Sequence, residues 1–127
     1  MSKAVALVVD DQVGVRTLLS LLCQEEGMDV RTAGNGLEAI NQIKEQLPLV
    51  VVMDIRMPIM DGVQALEWIN EKHPQIPVIL MTAYSAQDKL DKAEAIGATD
   101  IWFKPFDIDV VRQKLREFIH IRKQSLA

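Results

Sequence analysis

Short runs rich in β-branched residues alternate with longer stretches of helical period along the whole chain. The predicted strands cover residues 4–9, 29–33, 49–53, 78–81 and 101–103. The first, third and fourth are apolar at nearly every position, as strands buried on both faces are. The second and fifth are more polar, so we expect them at the edges. The alternation predicts an α/β fold in which a five-stranded parallel sheet is covered by helices on both faces.

The segments between the strands carry helix signals with start and stop residues. Leucines at helical spacing predict a first helix that ends near Gly27, a residue type common just after a helix. Asn35 with Glu38 resembles a capping box for the second helix. The other expected features are Ala65, Leu66 and Ile69 inside the third helix with Pro74 beyond it, Ser85 with Asp88 capping a fourth that ends at Gly97, and Asp107 capping the fifth. Five βα units result.

Composition bounds the possible functions. A chain of 127 residues with 49% hydrophobic and 25% charged residues predicts a single globular domain over 1–127 and excludes disorder. The net charge is −4 and no stripe of basic residues is present, so the charge needed for nucleic-acid binding is missing.

Cysteine content and hydropathy predict a cytoplasmic protein. Cys23 lies in an apolar run, where a small core residue is expected instead of a reactive thiol. No apolar stretch approaches the roughly 20 residues that span a bilayer, and the N-terminus lacks the pattern of a signal peptide. We expect no membrane association.

Polar residues collect where the predicted strands end. They are Asp10 and Asp11 after the first strand, Asp54 after the third, Thr82 after the fourth and Lys104 after the fifth. Taken singly, each of them would be interpreted as a helix cap, a turn residue or a solvated charge. Carboxyl ends of parallel strands share one edge, so all five are expected to meet there.

Three converging carboxylates repel one another unless a cation lies among them. Mg²⁺ suits such a site because it prefers oxygen ligands, and Mn²⁺ could substitute for it. No His or Cys is near these strand ends, which excludes zinc chemistry. A hydroxyl and an ammonium opposite the metal are donors for a phosphoryl group, and a carboxylate must then accept it as an acyl phosphate. Asp54 is the expected acceptor because the paired Asp10 and Asp11 suit the metal.

These residues resemble the receiver domain of two-component response regulators over about residues 4–118. The motifs are Val8-Val9-Asp10-Asp11, Met53-Asp54-Ile55-Arg56-Met57-Pro58, Met60-Asp61-Gly62, Met81-Thr82-Ala83 and Lys104-Pro105-Phe106. The resemblance implies a doubly wound, flavodoxin-like sheet of order 2-1-3-4-5. It also implies that Asp10, Asp11, Asp54 and the backbone carbonyl of Arg56 bind Mg²⁺. Thr82 and Lys104 would bind the phosphoryl group, which a sensor histidine kinase donates.

Within the family, residues 9–16, 81–84 and 104–109 are similar to the single-domain regulators of sporulation phosphorelays. Those proteins pass the phosphoryl group to a histidine phosphotransferase, and a chain ending at Ala127 without an output domain fits that role. A monomeric signalling protein is expected, not an enzyme. A chemotaxis-type regulator that binds an effector is an alternative.

A partner surface is expected around the mouth of the site. It comprises Gln12, Gly14, Val15, Leu18, Tyr84, Pro105 and Phe106. These apolar and small groups would admit a helical phosphotransferase and exclude water. Alternatively, Val15 and Leu18 belong simply to the core.

Two neighbours of the site bear on its behaviour. Ile101 stands where many receivers have Tyr or Phe, so we do not expect the aromatic switch of those receivers. Arg56 and Tyr84 are bulky and predict a phosphoryl group that hydrolyses slowly. An aspartate phosphatase, the alternative from another class, usually has Asp-x-Asp after its first strand, and this chain has adjacent Asp10-Asp11 there.

Overall fold

The computed structural model describes residues 4–83 and 87–125, with side chains up to Arg122. Strands and helices alternate strictly: β1 (Val5–Val9), α1 (Val13–Glu25), β2 (Asp29–Ala33), α2 (Gly36–Glu45), β3 (Val50–Asp54), α3 (Gly62–Lys72), β4 (Val78–Thr82), α4 (Gln87–Ile96), β5 (Asp100–Phe103) and α5 (Ile108–Ser125). All strand pairs are parallel, in the order β2-β1-β3-β4-β5. The predicted doubly wound fold and its strand order are confirmed.

The strand limits differ from the prediction by one residue at several ends. Asp54 and Thr82 are the last residues of β3 and β4, where the sequence places them just beyond. Both stay in the parallel ladder, since Asp54 pairs with Met81 and Thr82 pairs with Phe103. The backbone of both polar residues is therefore fixed by the hydrogen bonding of the central sheet. The more polar strands β2 and β5 are the edges, as predicted.

Alternate residues of each central strand face two separate apolar layers, as the period of a strand requires. Leu7 and Val9 face a layer built with α2, α3 and α4. Ala6 and Val8 face the other layer, which α1 and α5 complete. Cys23 lies fully buried in this second layer, where burial raises the pKa of its thiol to about 12. It is an inert core residue, as the sequence predicts.

The helix ends follow the predicted chemistry with one change. Asn35 Oδ1 accepts the backbone N–H of Glu38, but the Glu38 carboxylate reaches back to the N–H of Gly34, one residue beyond a standard capping box. Asp107 caps α5 through two N–H groups of its first turn. Gly27 and Gly97, with positive φ, follow α1 and α4. The expected cap Ser85 lies outside the described residues.

None of the helices in residues 4–83 and 87–125 combines the length and the apolar composition that crossing a membrane requires.

Candidate metal and phosphoacceptor site

Three carboxylates meet at the carboxyl edge of the sheet. Asp10 and Asp11 follow β1, and Asp54 ends β3, the neighbour of β1 in the sheet. One oxygen from each lies within 4.8 Å of the other two. Asp10 is fully buried and Asp54 is 7% exposed, whereas Asp11 is exposed. The cluster is thus open to solvent on one side, and carboxylate oxygens at this spacing could hold a metal ion.

Lys104 brings the opposite charge from the edge strand β5. Its Nζ lies 3.0 Å from Asp10 Oδ2 and 3.5 Å from Asp54 Oδ1. The peptide bond from Lys104 to Pro105 is cis. One ammonium is therefore shared by two buried carboxyl groups, in a cluster that has three acidic side chains and one paired lysine.

Asp10 is held firmly by its own surroundings. Its Oδ1 accepts the backbone N–H of Gln12 at 2.9 Å, and its Oδ2 accepts the ammonium of Lys104. The guanidinium of Arg16 donates to its main-chain carbonyl at 2.8 Å. These partners hold the side chain and the main chain of Asp10 in place beside Asp54.

The raised pKa of Asp54 indicates that the cluster lacks positive charge. The pKa of its carboxyl is raised to about 6, chiefly by burial and then by the neighbouring charge of Asp10, with a smaller increase from Asp11 and an opposing effect from Lys104. A carboxylate with such a pKa is partly protonated near neutral pH in the absence of a cation. A metal ion among the three groups would restore the ionised form, which is the nucleophilic one.

Thr82 closes the site from β4. Its side chain is buried, and its hydroxyl donates to the carbonyl of the next residue, Ala83, at 2.8 Å. Within residues 4–83 and 87–122 this is the hydrogen bond that the hydroxyl makes, and a hydroxyl can rotate toward a new acceptor at small cost. Thr82 therefore remains available to donate to a group placed on Asp54.

The loop after β3 is held in place by close backbone contact with Gly62, the first residue of α3. A Cβ on Gly62 would lie 2.3 Å from the carbonyl oxygen of Asp54, so only glycine fits. The N–H of Gly62 donates to the carbonyl of Ile55 at 2.8 Å. The exposed Arg56, whose carbonyl the family resemblance implies as a metal ligand, is in this loop.

The same loop contains a strained residue. Ile59 has φ 71°, and the N–H of Met60 closes a γ-turn on the carbonyl of Pro58 at 2.7 Å. A β-branched residue rarely adopts a positive φ. Ile59 is also 78% exposed, so no burial offsets this strain.

The predicted partner residues lie at the start of α1 and in the loop after β5. Gln12, Gly14 and Pro105 are exposed. Val15, Leu18 and Phe106 are partly buried and pack against the layer of α1 and α5, so they contribute to the core and also reach the surface. Tyr84 lies outside the described residues. Ile101 is half-buried against the other layer, and Trp102 is buried, with its indole N–H donating to Asp100.

Sequence reasoning missed two charged residues beside the site, Asp61 and Lys89. Asp61 caps α3 in a complete capping box with Gln64, and it also pairs with the ammonium of Lys89 from α4. A cleft of about 510 Å³ is lined by Asp11, Arg56, Met57, Pro58, Asp61 and Lys89. The spacing of Asp61 and Gln64 was a readable capping signal. No local pattern indicates the contact with Lys89, since it depends on how α3 and α4 pack.

Comparison with known proteins agrees with this geometry. Residues 6–116 match the response regulator receiver domain family. Sporulation initiation phosphotransferase F of Bacillus subtilis is 35% identical over 91% of this chain and 94% of its own length. The DNA-binding transcriptional regulator NtrC of Escherichia coli is 40% identical over 98% of this chain, which spans only 27% of that protein.

Solved structures show the same fold. The receiver domain of NtrX from Brucella abortus superposes with a TM-score of 0.78 at 32% identity, covering 88% of this chain and 98% of that one. A CheY-like receiver domain protein from Methanospirillum hungatei gives a TM-score of 0.88 at 22% identity, over 98% of this chain and 99% of that one. The chain therefore belongs to the response regulator receiver domain family, the signalling domains of two-component systems.

Proposed function

We propose that this protein accepts a phosphoryl group on Asp54 from the phosphohistidine of a sensor kinase, in a magnesium-dependent reaction. One observation carries the proposal: a single lysine is divided between two buried carboxylates, in a cluster that still has excess negative charge. Buried carboxyl groups that lack full counter-charges oppose folding when they are ionised. An unbalanced cluster at a solvent-open edge favours the binding of a cation and, with it, a phosphoryl group.

The residues present fit Mg²⁺. Asp10, Asp11 and Asp54 supply hard oxygen ligands within a few ångströms, and the exposed side of the cluster leaves room for waters. The backbone carbonyl of Arg56 is proposed as a further ligand on the basis of the family resemblance. When bound, Mg²⁺ would neutralise charge on the transferring phosphoryl group. Mn²⁺ shares this preference for oxygen and is an alternative ion.

The side chains have distinct parts in the transfer. A carboxylate oxygen of Asp54 forms a bond to phosphorus as the bond from phosphorus to the donor's imidazole nitrogen breaks, and the imidazole leaves with the electron pair. Lys104, already 3.5 Å from Asp54, pairs with the added phosphoryl oxygens. The Thr82 hydroxyl rotates from the carbonyl of Ala83 to donate to another of them.

Onward transfer to a histidine phosphotransferase is the proposed output, in a phosphorelay that controls sporulation in the cytoplasm. Its support is the likeness to the sporulation phosphotransferase over nearly the full length of both chains. The surface for both partners is the start of α1 with the loop after β5, including Gln12, Gly14 and Phe106. Binding of an effector by a monomeric chemotaxis-type regulator is the second candidate, and slow hydrolysis of the phosphoryl group would favour the relay.

Phosphorylation of the purified protein tests the first step. Wild-type protein with acetyl phosphate and Mg²⁺ should gain the mass of one phosphoryl group, and Asp54→Asn should gain none. Asp29→Asn is the matched control, because Asp29 is exposed at the opposite end of the sheet. Labelling of Asp54→Asn, or equal labelling when Mg²⁺ is chelated, would exclude the proposal.

Transfer from the labelled protein tests the second step. A Cβ on Gly14 would meet no atom within 4 Å, so Gly14→Arg adds bulk on the proposed surface without an internal clash. We expect this variant to label normally from acetyl phosphate but to pass its phosphoryl group slowly to a histidine phosphotransferase. Leu47→Arg, at an exposed position near the end of α2, is the control. Equal transfer by both variants would remove this surface from the proposal.

A further inference from the structure

Two ion pairs join helix α4 to α3, in addition to the apolar layer that the two helices share. Leu90 and Ala93 are its buried residues, and two lysines one turn apart reach across to α3. Lys89 pairs with Asp61, and Lys92 pairs with Glu67 at 2.8 Å. The two ion pairs have the same chemistry, but they lie at different distances from the phosphoacceptor.

The pair of Lys89 and Asp61 lies in the wall of the cleft that leads to the acidic cluster. Asp11 belongs both to the lining of this cleft and to the cluster, so the two are continuous. The pair of Lys92 and Glu67 contributes nothing to that lining. Of the two lysines, Lys89 therefore lines the route to Asp54, whereas Lys92 acts on Asp61 only as a weaker, more distant charge.

Asp61 would be an obstacle to such a molecule if it stood alone. Its side chain is 19% exposed and faces the cleft that Asp11 also lines. Burial of Asp61 acts to raise the pKa of its carboxyl, but the hydrogen bonds from Lys89 and the backbone of Gln64 outweigh this effect and lower it. The carboxylate is thus ionised at neutral pH, and it would repel a phosphoryl donor that carries two negative charges.

We infer that Lys89 is a positioning residue that neutralises Asp61 and so lets dianionic phosphoryl donors reach Asp54 through the cleft. This inference depends on the proposed function, because it concerns the donor of the same phosphoryl group. The competing explanation is that Lys89 merely attaches α4 to α3. The two explanations differ for Asp61→Asn, which breaks the ion pair but keeps a good cap for α3.

The experiment compares second-order rate constants for labelling by acetyl phosphate at low salt and saturating Mg²⁺. Lys89→Gln should react about three- to tenfold more slowly than wild type, since one compensating charge is lost near a dianion. Lys89→Arg should retain the wild-type rate. Asp61→Asn should react at least as fast as wild type, and adding it to Lys89→Gln should restore the rate. Lys92→Gln, which removes the same charge from the other pair, should not differ from wild type.

Salt provides a readout that attachment of α4 alone would not affect. The gap between wild type and Lys89→Gln should close as ionic strength rises to about 0.5 M, where screening is nearly complete over the width of the cleft. A slow Asp61→Asn variant, a slow Lys92→Gln variant or a gap that persists at high salt would overturn the inference. If wild type labels on Asp54 and all variants react equally, only the inference fails. If wild type does not label, or Asp54→Asn does, the proposed function itself fails.

Discussion

The middle of the central strands and their carboxyl ends are equally hidden from water but opposite in character. Val8, Val52 and Leu80 are completely buried among apolar side chains. Two residues further along the chain in each case, Asp10, Asp54 and Thr82 are nearly as buried but polar. Burial in the middle stabilises the fold, whereas burial of the carboxylates at the end opposes it. The rigid middle therefore holds in place an arrangement that would not form by itself.

The largest effect is expected in the middle of the sheet. Leu80→Ala should lower the free energy of unfolding by about 3 kcal/mol, because it leaves a cavity in a fully packed layer. The loss should be the same with and without Mg²⁺ in urea denaturation. Leu21→Ala, at an exposed position of α1, is the control and should change stability by less than about 0.5 kcal/mol. A Leu80→Ala loss that depends on the metal would break the distinction between the two regions.

At the carboxyl edge, removing the lysine should be the next most damaging change. Lys104→Met leaves Asp10 and Asp54 without their shared cation and should cost about 2 kcal/mol in metal-free protein. Mg²⁺ should recover part of this loss, since it supplies positive charge to the same carboxylates. Denaturation curves in chelator and in excess Mg²⁺ measure both values. Equal losses in the two conditions would show that the metal lies elsewhere.

Removing a carboxylate should have the opposite sign. The pKa of Asp54 is raised from 3.8 to about 6, so the native state binds this proton more tightly than the unfolded chain. Wild-type stability should therefore fall as pH rises from about 4 to about 6, and Asp54→Asn should not show that fall. We expect the variant to be more stable than wild type by about 2 kcal/mol at pH 7 in chelator.

The pH series tests the sign directly. The advantage of Asp54→Asn should be full above about pH 6 and should vanish near pH 4, where both states of the wild-type protein hold the proton. Asp29→Asn, exposed on an edge strand, provides the baseline. A variant that is less stable than wild type at pH 7 would mean that Lys104 fully compensates the buried charge.

The smallest effect is expected in the loop after β3. Ile59→Gly relieves the strain of a positive φ at an exposed side chain. Glycine also increases the conformational entropy of the unfolded chain, which opposes this gain. The net free energy of unfolding should rise by about 1 kcal/mol. Thermal unfolding and urea denaturation measure the gain. Pro58→Ala, beside it and also exposed, lacks this source of relief. A loss of stability in Ile59→Gly would show that the isoleucine makes contacts that outweigh the strain.

Much of the fold could be predicted because its signals are local. Apolar content separated the central strands from β2 and β5, and Asn35 and Asp107 marked helix starts through contacts within a few residues. The meeting of Asp10 with Asp54 followed from the rule that parallel strands end at one edge. The family resemblance, now shown by comparison, supplied the strand order.

The remaining features depend on distances that sequence patterns do not contain. Lys104 lies nearer to Asp10 than to Asp54, which only the position of the β5 end decides. The pair of Asp61 and Lys89 joins residues 28 positions apart. Nor does any propensity suggest Ile59 for a positive φ, since a β-branched residue rarely adopts that conformation.

Gly62, the first residue of α3, lies in direct contact with the main chain of the acceptor Asp54. Because no side chain separates them, we expect a displacement of the Asp54 backbone to move the first turn of α3 as well. Trp68 lies on that helix, half-buried, with the Lys44 ammonium 5.8 Å from its ring. Trp68 is thus an intrinsic fluorophore on this helix, and its emission, once distinguished from that of Trp102, should report occupancy of the acceptor without any attached dye.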